Sequence, residues 1–235
     1  MKIGIPAETR PGETRVAATP ETVKKLAARH QVIVQAGAGL QASIDDAAFT
    51  AAGAVIGTAA DAFAADIVLK VRAPDGAERA RMKRDAVLVG MLDPFDTANV
   101  TAMTEAGLWA FALEAAPRIT RAQSMDVLSS QANIAGYKAV LMAANTYGRF
   151  MPMLMTAAGT VKAARVLIMG VGVAGLQAIA TAKRLGAVIE ASDVRPPVKE
   201  QVESLGAKFI DVPYETAQEK EAAEGVGGYA RPMPQ

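Results

Sequence analysis

Cysteine is missing altogether from these 235 residues, and histidine occurs once, as His30. The first absence excludes disulfides, thiolate metal sites and a cysteine nucleophile, and the second leaves histidine-based catalysis or metal binding with one candidate. No block of basic residues occurs and the formal net charge is +1, so nothing supplies an electrostatic footprint for nucleic acid. Long apolar runs are lacking too. The longest, Val166 to Leu176, is too short to span a membrane and contains three glycines. The opening residues, MKIGIPAETRPG, carry an apolar stretch far too short for a signal sequence. The expectation is a soluble, cytoplasmic protein that meets a membrane only through a partner.

What is present is the composition of a globular protein, 51% hydrophobic and 21% charged, with length enough for one large domain or two ordinary ones. Short β-branched runs alternate with capped helical patterns. KIGIP is a strand stopped by Pro6, and TPETVKKLAARH opens a helix on Thr19 with Pro20 in its first position. QVIVQ, DIVLKV, DAVLVGML and LWAFAL read as further strands, with SIDDAAFTAAG and DTANVTAMTEAG as helices among them. Such alternation predicts an α/β fold built on mostly parallel sheets. One long helical pattern then runs from Leu128 to Phe150, and a second strand–helix series begins at Arg165. Two Rossmann-like domains are expected, residues 1–127 and 128–235, the second doubly wound, entered by the long helix and apparently truncated.

The second series opens on RVLIMGVGVAGLQAIATAKRLG, Arg165 to Gly186. A continuous apolar strand is followed at once by Gly170-x-Gly172-x-x-Gly175. In this spacing the first glycine makes the tight turn, the second lets a pyrophosphate approach the backbone, and the third lets helix and strand close together. The helix start at Val173 then offers N–H groups and a positive dipole end to phosphate. AVIEASD supplies the next strand and ends in Asp193, eighteen residues after Gly175. An acid there accepts from adenosine ribose hydroxyls and repels a 2′-phosphate, so the expected cofactor is NAD(H) rather than NADP(H).

PRITRAQSMDVLSS, Pro117 to Ser130, is less decisive on chemistry alone. Ser124 or Asp126 could cap the long helix while the arginines stay solvated, or the same side chains could hold a ligand. At this stretch the sequence resembles a known family. PRITRAQSMDVLSSQANIAGYKAV and MTAAGTVKAARVLIMGVGVAGLQAIATAKRLGAVIEASDVR are similar to the two most distinctive segments of domain I, the NAD(H)-binding component, of the proton-translocating nicotinamide nucleotide transhydrogenases, which is related to alanine dehydrogenase. MKIGIPAETRPGETRVAATPETVKKL is similar to the family's opening, so the resemblance covers essentially the whole chain.

The resemblance implies a nicotinamide-end loop in which Arg118, Gln123 and Asp126 are the catalytic-site residues, with Ile119, Thr120 and Ser129 beside them as further cofactor contacts. It implies adenosine-side contacts at Val173 and along Asp193, Val194 and Arg195. EGVGGYARPMP resembles the family's mobile loop, with Gly228 near the nucleotide and Tyr229 as its packing residue. The implied reaction is direct hydride transfer between NAD(H) held here and NADP(H) held by a separate domain III, on the beta subunit. The implied partners are that domain and a proton-conducting membrane domain, with this component dimeric and peripheral on the inner membrane. No metal is implied.

Two departures stand against the family's pattern. Family members continue beyond the point matched by Gln235, so a fragment is expected. The alternative activity, an alanine dehydrogenase-like amino-acid dehydrogenase, has a pyruvate site that resembles Arg15 and Lys70, but it needs a histidine where LVGMLDP stands here. Arg15 and Lys70 are therefore expected to belong to the first domain's charged surface.

Overall fold

The structure, a computed structural model, describes residues 1–117, 119–195 and 198–211, and every structural statement below concerns these. The chain divides into two compact units, Met1–Val127 and a second beginning at Leu128.

The first unit alternates β1 (Lys2–Ile5), α1 (Pro20–Ala27), β2 (Gln31–Gln35), α2 (Asp46–Ala51), β3 (Val55–Gly57), α3 (Ala59–Phe63), β4 (Ile67–Arg72), α4 (Gly76–Arg79), β5 (Val87–Met91), α5 (Thr97–Glu105) and β6 (Trp109–Ala112). The helices start where local chemistry caps them. Thr19 accepts from Thr22 N ahead of Pro20, Asp45 from Ala48 N, and Asp96 from Ala98 N. Thr58 with Asp61 and Asp75 with Glu78 form reciprocal capping boxes on α3 and α4. The sheet is parallel throughout, in the order β3-β2-β1-β4-β5-β6. Ile5, Val32, Val34 and Phe49 fill one side of it, and Phe63, Val68, Leu88 and Leu92 another cluster. Gly4 admits α3 against β1, since a Cβ there would collide with the Ala62 carbonyl.

This order reverses direction between β1 and β4, the place where an open parallel sheet leaves a crevice beyond its strand ends. Here that crevice is filled from within. Lys70, on β4, is buried at 3% exposure, with Nζ 3.1 Å from Glu78 Oε1 and 3.4 Å from Glu8 Oε2. Glu8 also accepts from Val71 N, and Thr9 Oγ1 donates to Glu78. The expectation that Lys70 belongs to a charged surface is thus corrected, because two carboxylates from distant segments enclose its ammonium. Arg15 is partly exposed and pairs with Glu13 at 2.6 Å.

In the second unit α6 (Val127–Tyr147) is followed by a small antiparallel pair, β7 (Leu154–Thr156) and β8 (Gly159–Val161). Then come β9 (Arg165–Met169), α7 (Val173–Arg184), β10 (Val188–Ser192), α8 (Lys199–Ser204) and β11 (Lys208–Phe209), forming a parallel sheet in the order β11-β10-β9. Val171, Ile179, Ile189, Ala191 and Val202 form its core. Helix α6 approaches the start of α7 backbone to backbone at Gly136, where a Cβ would collide with the Ala174 carbonyl. No helix among the described residues is long and apolar enough to cross a membrane.

Candidate functional site

The glycine turn takes the form its spacing predicts. Gly170 follows β9 with φ +88°, a left-handed conformation that a side chain would strain, and its N–H donates to Ser192 O at 2.9 Å. Gly172 precedes α7 in an extended conformation and provides no side-chain cap, so the first turn of α7 begins without a competing hydroxyl or carboxylate. Gly175 is buried and packs on Gly170, whose carbonyl a Cβ would strike. Val173 is 41% exposed at the helix start. Strand, turn and helix therefore present the start of α7 without a side-chain cap, the chemistry a pyrophosphate needs.

Asp193 directly follows β10 beside this turn, but it is not idle. Its Oδ2 accepts from Val171 N at 2.6 Å and Arg195 Nη2 at 3.0 Å, while Oδ1 accepts from Arg195 N at 2.8 Å and Nε at 3.0 Å. Burial opposes the charge of this carboxylate, yet the bonds from Arg195 and Val171 outweigh it and hold the pKa below the usual range. Arg195 is raised in turn by its bond to Asp193. Val194 between them is 41% exposed. Val171, absent from the sequence-based set, is buried at 1% and is the residue whose N–H fastens the turn to the acid. Its position inside Gly-x-Gly is the signal that could have found it.

In the first unit the segment after β6 winds into a short 3₁₀ helix, Thr120–Met125, anchored by buried Ala122. Ile119, Thr120, Gln123 and Asp126 come together there, with Pro117 and Ala122, around a cavity of about 260 Å³. Ligand pockets start at about 300 Å³, so the space suits one end of a dinucleotide rather than all of it. Gln123 is exposed, Asp126 half-buried, and Asp126 N donates to Gln123 O at 3.2 Å. Ser129 lies on the first turns of α6, half-buried. Arg118, Gly228 and Tyr229 lie outside the described residues.

His30 is remote from the Lys70 cluster. It stands just before β2, level with the start of β1, whereas Lys70 is level with Pro6. At about 3.3 Å per residue the strands separate the two by roughly 16 Å. The one imidazole therefore cannot work on a substrate held at Lys70.

Residues 4–135 match the family model described as the alanine dehydrogenase/PNT N-terminal domain, and residues 139–227 match the corresponding C-terminal domain. The chain belongs to the alanine dehydrogenase/PNT family. Within that family it is 57% identical to the first part of the NAD(P) transhydrogenase subunit alpha of Rhodospirillum rubrum, over 99% of this chain and 62% of that protein. It is 34% identical to an alanine dehydrogenase of Mycobacterium tuberculosis, over 95% of this chain and 62% of that protein. A crystal structure of transhydrogenase from Sinorhizobium meliloti superposes with a TM-score of 0.90 at 56% identity, covering 95% of this chain and 65% of that one. The chain thus spans a little under two thirds of the length of these family members.

Proposed function

We propose that this chain is the NAD(H)-binding component of a proton-translocating transhydrogenase, exchanging hydride directly with NADP(H) held by a partner domain. The observation that carries the reading is the Gly170–Gly172 turn fastened to Asp193 through the Val171 N–H. Bare backbone at Gly172 and the start of α7 suits a pyrophosphate, Gly175 lets the helix approach, and Asp193, Val194 and Arg195 stand where an adenosine ribose would lie. Arg118, Ile119, Thr120, Gln123, Asp126 and Ser129 would hold the nicotinamide end, and Gly228 and Tyr229 would close over it. Bound NAD(H) would supply the hydride donor or acceptor. The chain's own work is to bind, orient and exclude water, which requires no acid or base and so suits a sequence with one histidine.

Proton movement then belongs to a membrane partner, and NADP(H) to domain III of the beta subunit. The component would act as a dimer on the cytoplasmic side of the inner membrane, held there by those partners. An alanine dehydrogenase activity finds less support, because Lys70 is enclosed by Glu8 and Glu78 and His30 stands at the opposite end of the strands. Reduced NAD, an NADP analogue and the purified NADP(H)-binding partner should give transhydrogenation. Ammonia-dependent reduction of pyruvate instead would overturn the proposal in favour of a dehydrogenase, and neither reaction would leave only a nucleotide-binding module.

A further inference from the structure

An ionised carboxylate has two oxygens and about four lone-pair positions. At Asp193 four N–H groups already take them: Val171 N, Arg195 N, Arg195 Nε and Arg195 Nη2, all between 2.6 and 3.0 Å. The Asp193 side chain is only 5% exposed, so no face of it remains for a fifth donor. A ribose diol that bonds to Asp193 must therefore displace one of the four. The Val171 and Arg195 backbone N–H groups are fixed by the turn and by the end of β10. Only the Arg195 guanidinium hangs on rotatable bonds, on a side chain that is 24% exposed. Its Nη2 also lies 3.9 Å from where a Cβ on Gly172 would stand, so it covers the edge of the turn as well.

We propose that Arg195 sets how strictly this site discriminates at the adenosine 2′ position, by occupying the Asp193 carboxylate that a ribose diol must reach. This rests on the NAD(H) reading of the turn. An arginine forked onto the acid has two consequences. It removes acceptor capacity that a 2′-hydroxyl would use, and it neutralises the charge that would repel a 2′-phosphate. Both act in the same direction and blunt the preference for NADH over NADPH. Whatever Arg195 does for the pyrophosphate is common to both nucleotides and cancels in their ratio.

The test is calorimetric titration of the full chain with NADH and with NADPH, for the unaltered protein, Arg195→Met and Arg195→Lys, with thermal unfolding run on each. The ratio of the two dissociation constants should widen by about fivefold or more in Arg195→Met, which keeps the stem and loses the fork. Arg195→Lys, a point charge without the bidentate geometry, should widen it less; if Arg195→Met does not fold, this variant alone decides. An unchanged or narrowed ratio in a folded variant overturns the inference while leaving the nucleotide site standing. Failure of the unaltered chain to bind NADH overturns the NAD(H) reading, and this inference with it.

Discussion

The two units place different contents at the same kind of location. Each is a parallel sheet whose first strand runs out into a segment rich in chemistry, and in the first unit that segment enters the crevice at the β1–β4 reversal. In the first unit the chain leaving β1 brings Glu8 into that crevice, where it meets Lys70 from β4 and Glu78 from α4. In the second, the chain leaving β9 brings Gly170, Val171 and Gly172, which offer backbone, with the Arg195 guanidinium at one edge of the turn. A parallel sheet therefore supplies a place for a site without supplying the site. Charged side chains that can pair with one another close it, and glycines keep it open. The enclosed charges of Lys70, Glu8 and Glu78 belong to stability, whereas the uncapped start of α7 leaves backbone available to a ligand.

The strongest challenge to this contrast is Lys70→Met. Removing the cation leaves Glu8 and Glu78 buried without it, which should cost about 3–5 kcal/mol of unfolding free energy. Urea unfolding measures it, and a loss below about 1 kcal/mol would mean that the crevice is wetter and more accessible than its burial implies. Next comes Gln123→Asn, measured with the NADP(H)-binding partner that the proposed function requires. If the exposed glutamine positions the nicotinamide, NADH affinity should stay within a few-fold. Single-turnover hydride transfer should nevertheless drop by about a hundredfold, because a displacement of about 1 Å is that costly. Transfer at the normal rate would make Gln123 a structural residue of the 3₁₀ turn and assign the loop to stability after all.

A smaller effect is expected at Asp193→Ala. NADH binding should weaken by about tenfold and its advantage over NADPH should shrink, since the acceptor and the repulsion vanish together. Equal affinities for the two nucleotides in the unaltered protein would remove the basis for this expectation. The smallest effect concerns acid. Hydrogen bonds from the Arg15 side chain, opposed by burial and helped by Arg15 N and Arg72, lower the Glu13 pKa to about 2. A carboxylate lowered on folding stabilises above its ordinary pKa, so this contribution should be complete above about pH 4.5 and fade as pH falls toward 2. Glu13→Gln should flatten that part of the stability profile. An unchanged acid limb in denaturant titrations would mean that the pair is too hydrated to matter.

The sequence by itself determined the features whose physics is local. The caps at Thr19, Asp45 and Asp96 lie within three residues of the N–H groups they hold, and the alternation of strands and helices follows from short-range periodicity. The Gly170–Gly175 turn was equally legible, because turn, helix start and preceding strand are contiguous in the chain. Tertiary structure alone decided the sheet order, and with it the meeting of Glu8, Lys70 and Glu78 from three separate segments, which turns an apparent surface lysine into a buried one. It also decided that Asp193 is held by Val171, 22 residues earlier, and shared with Arg195. Spacing can place an acid at the end of a strand. How many donors surround it depends on which segments the fold brings within hydrogen-bonding reach, because hydrogen bonds and ion pairs act across space and leave no periodic trace along the chain.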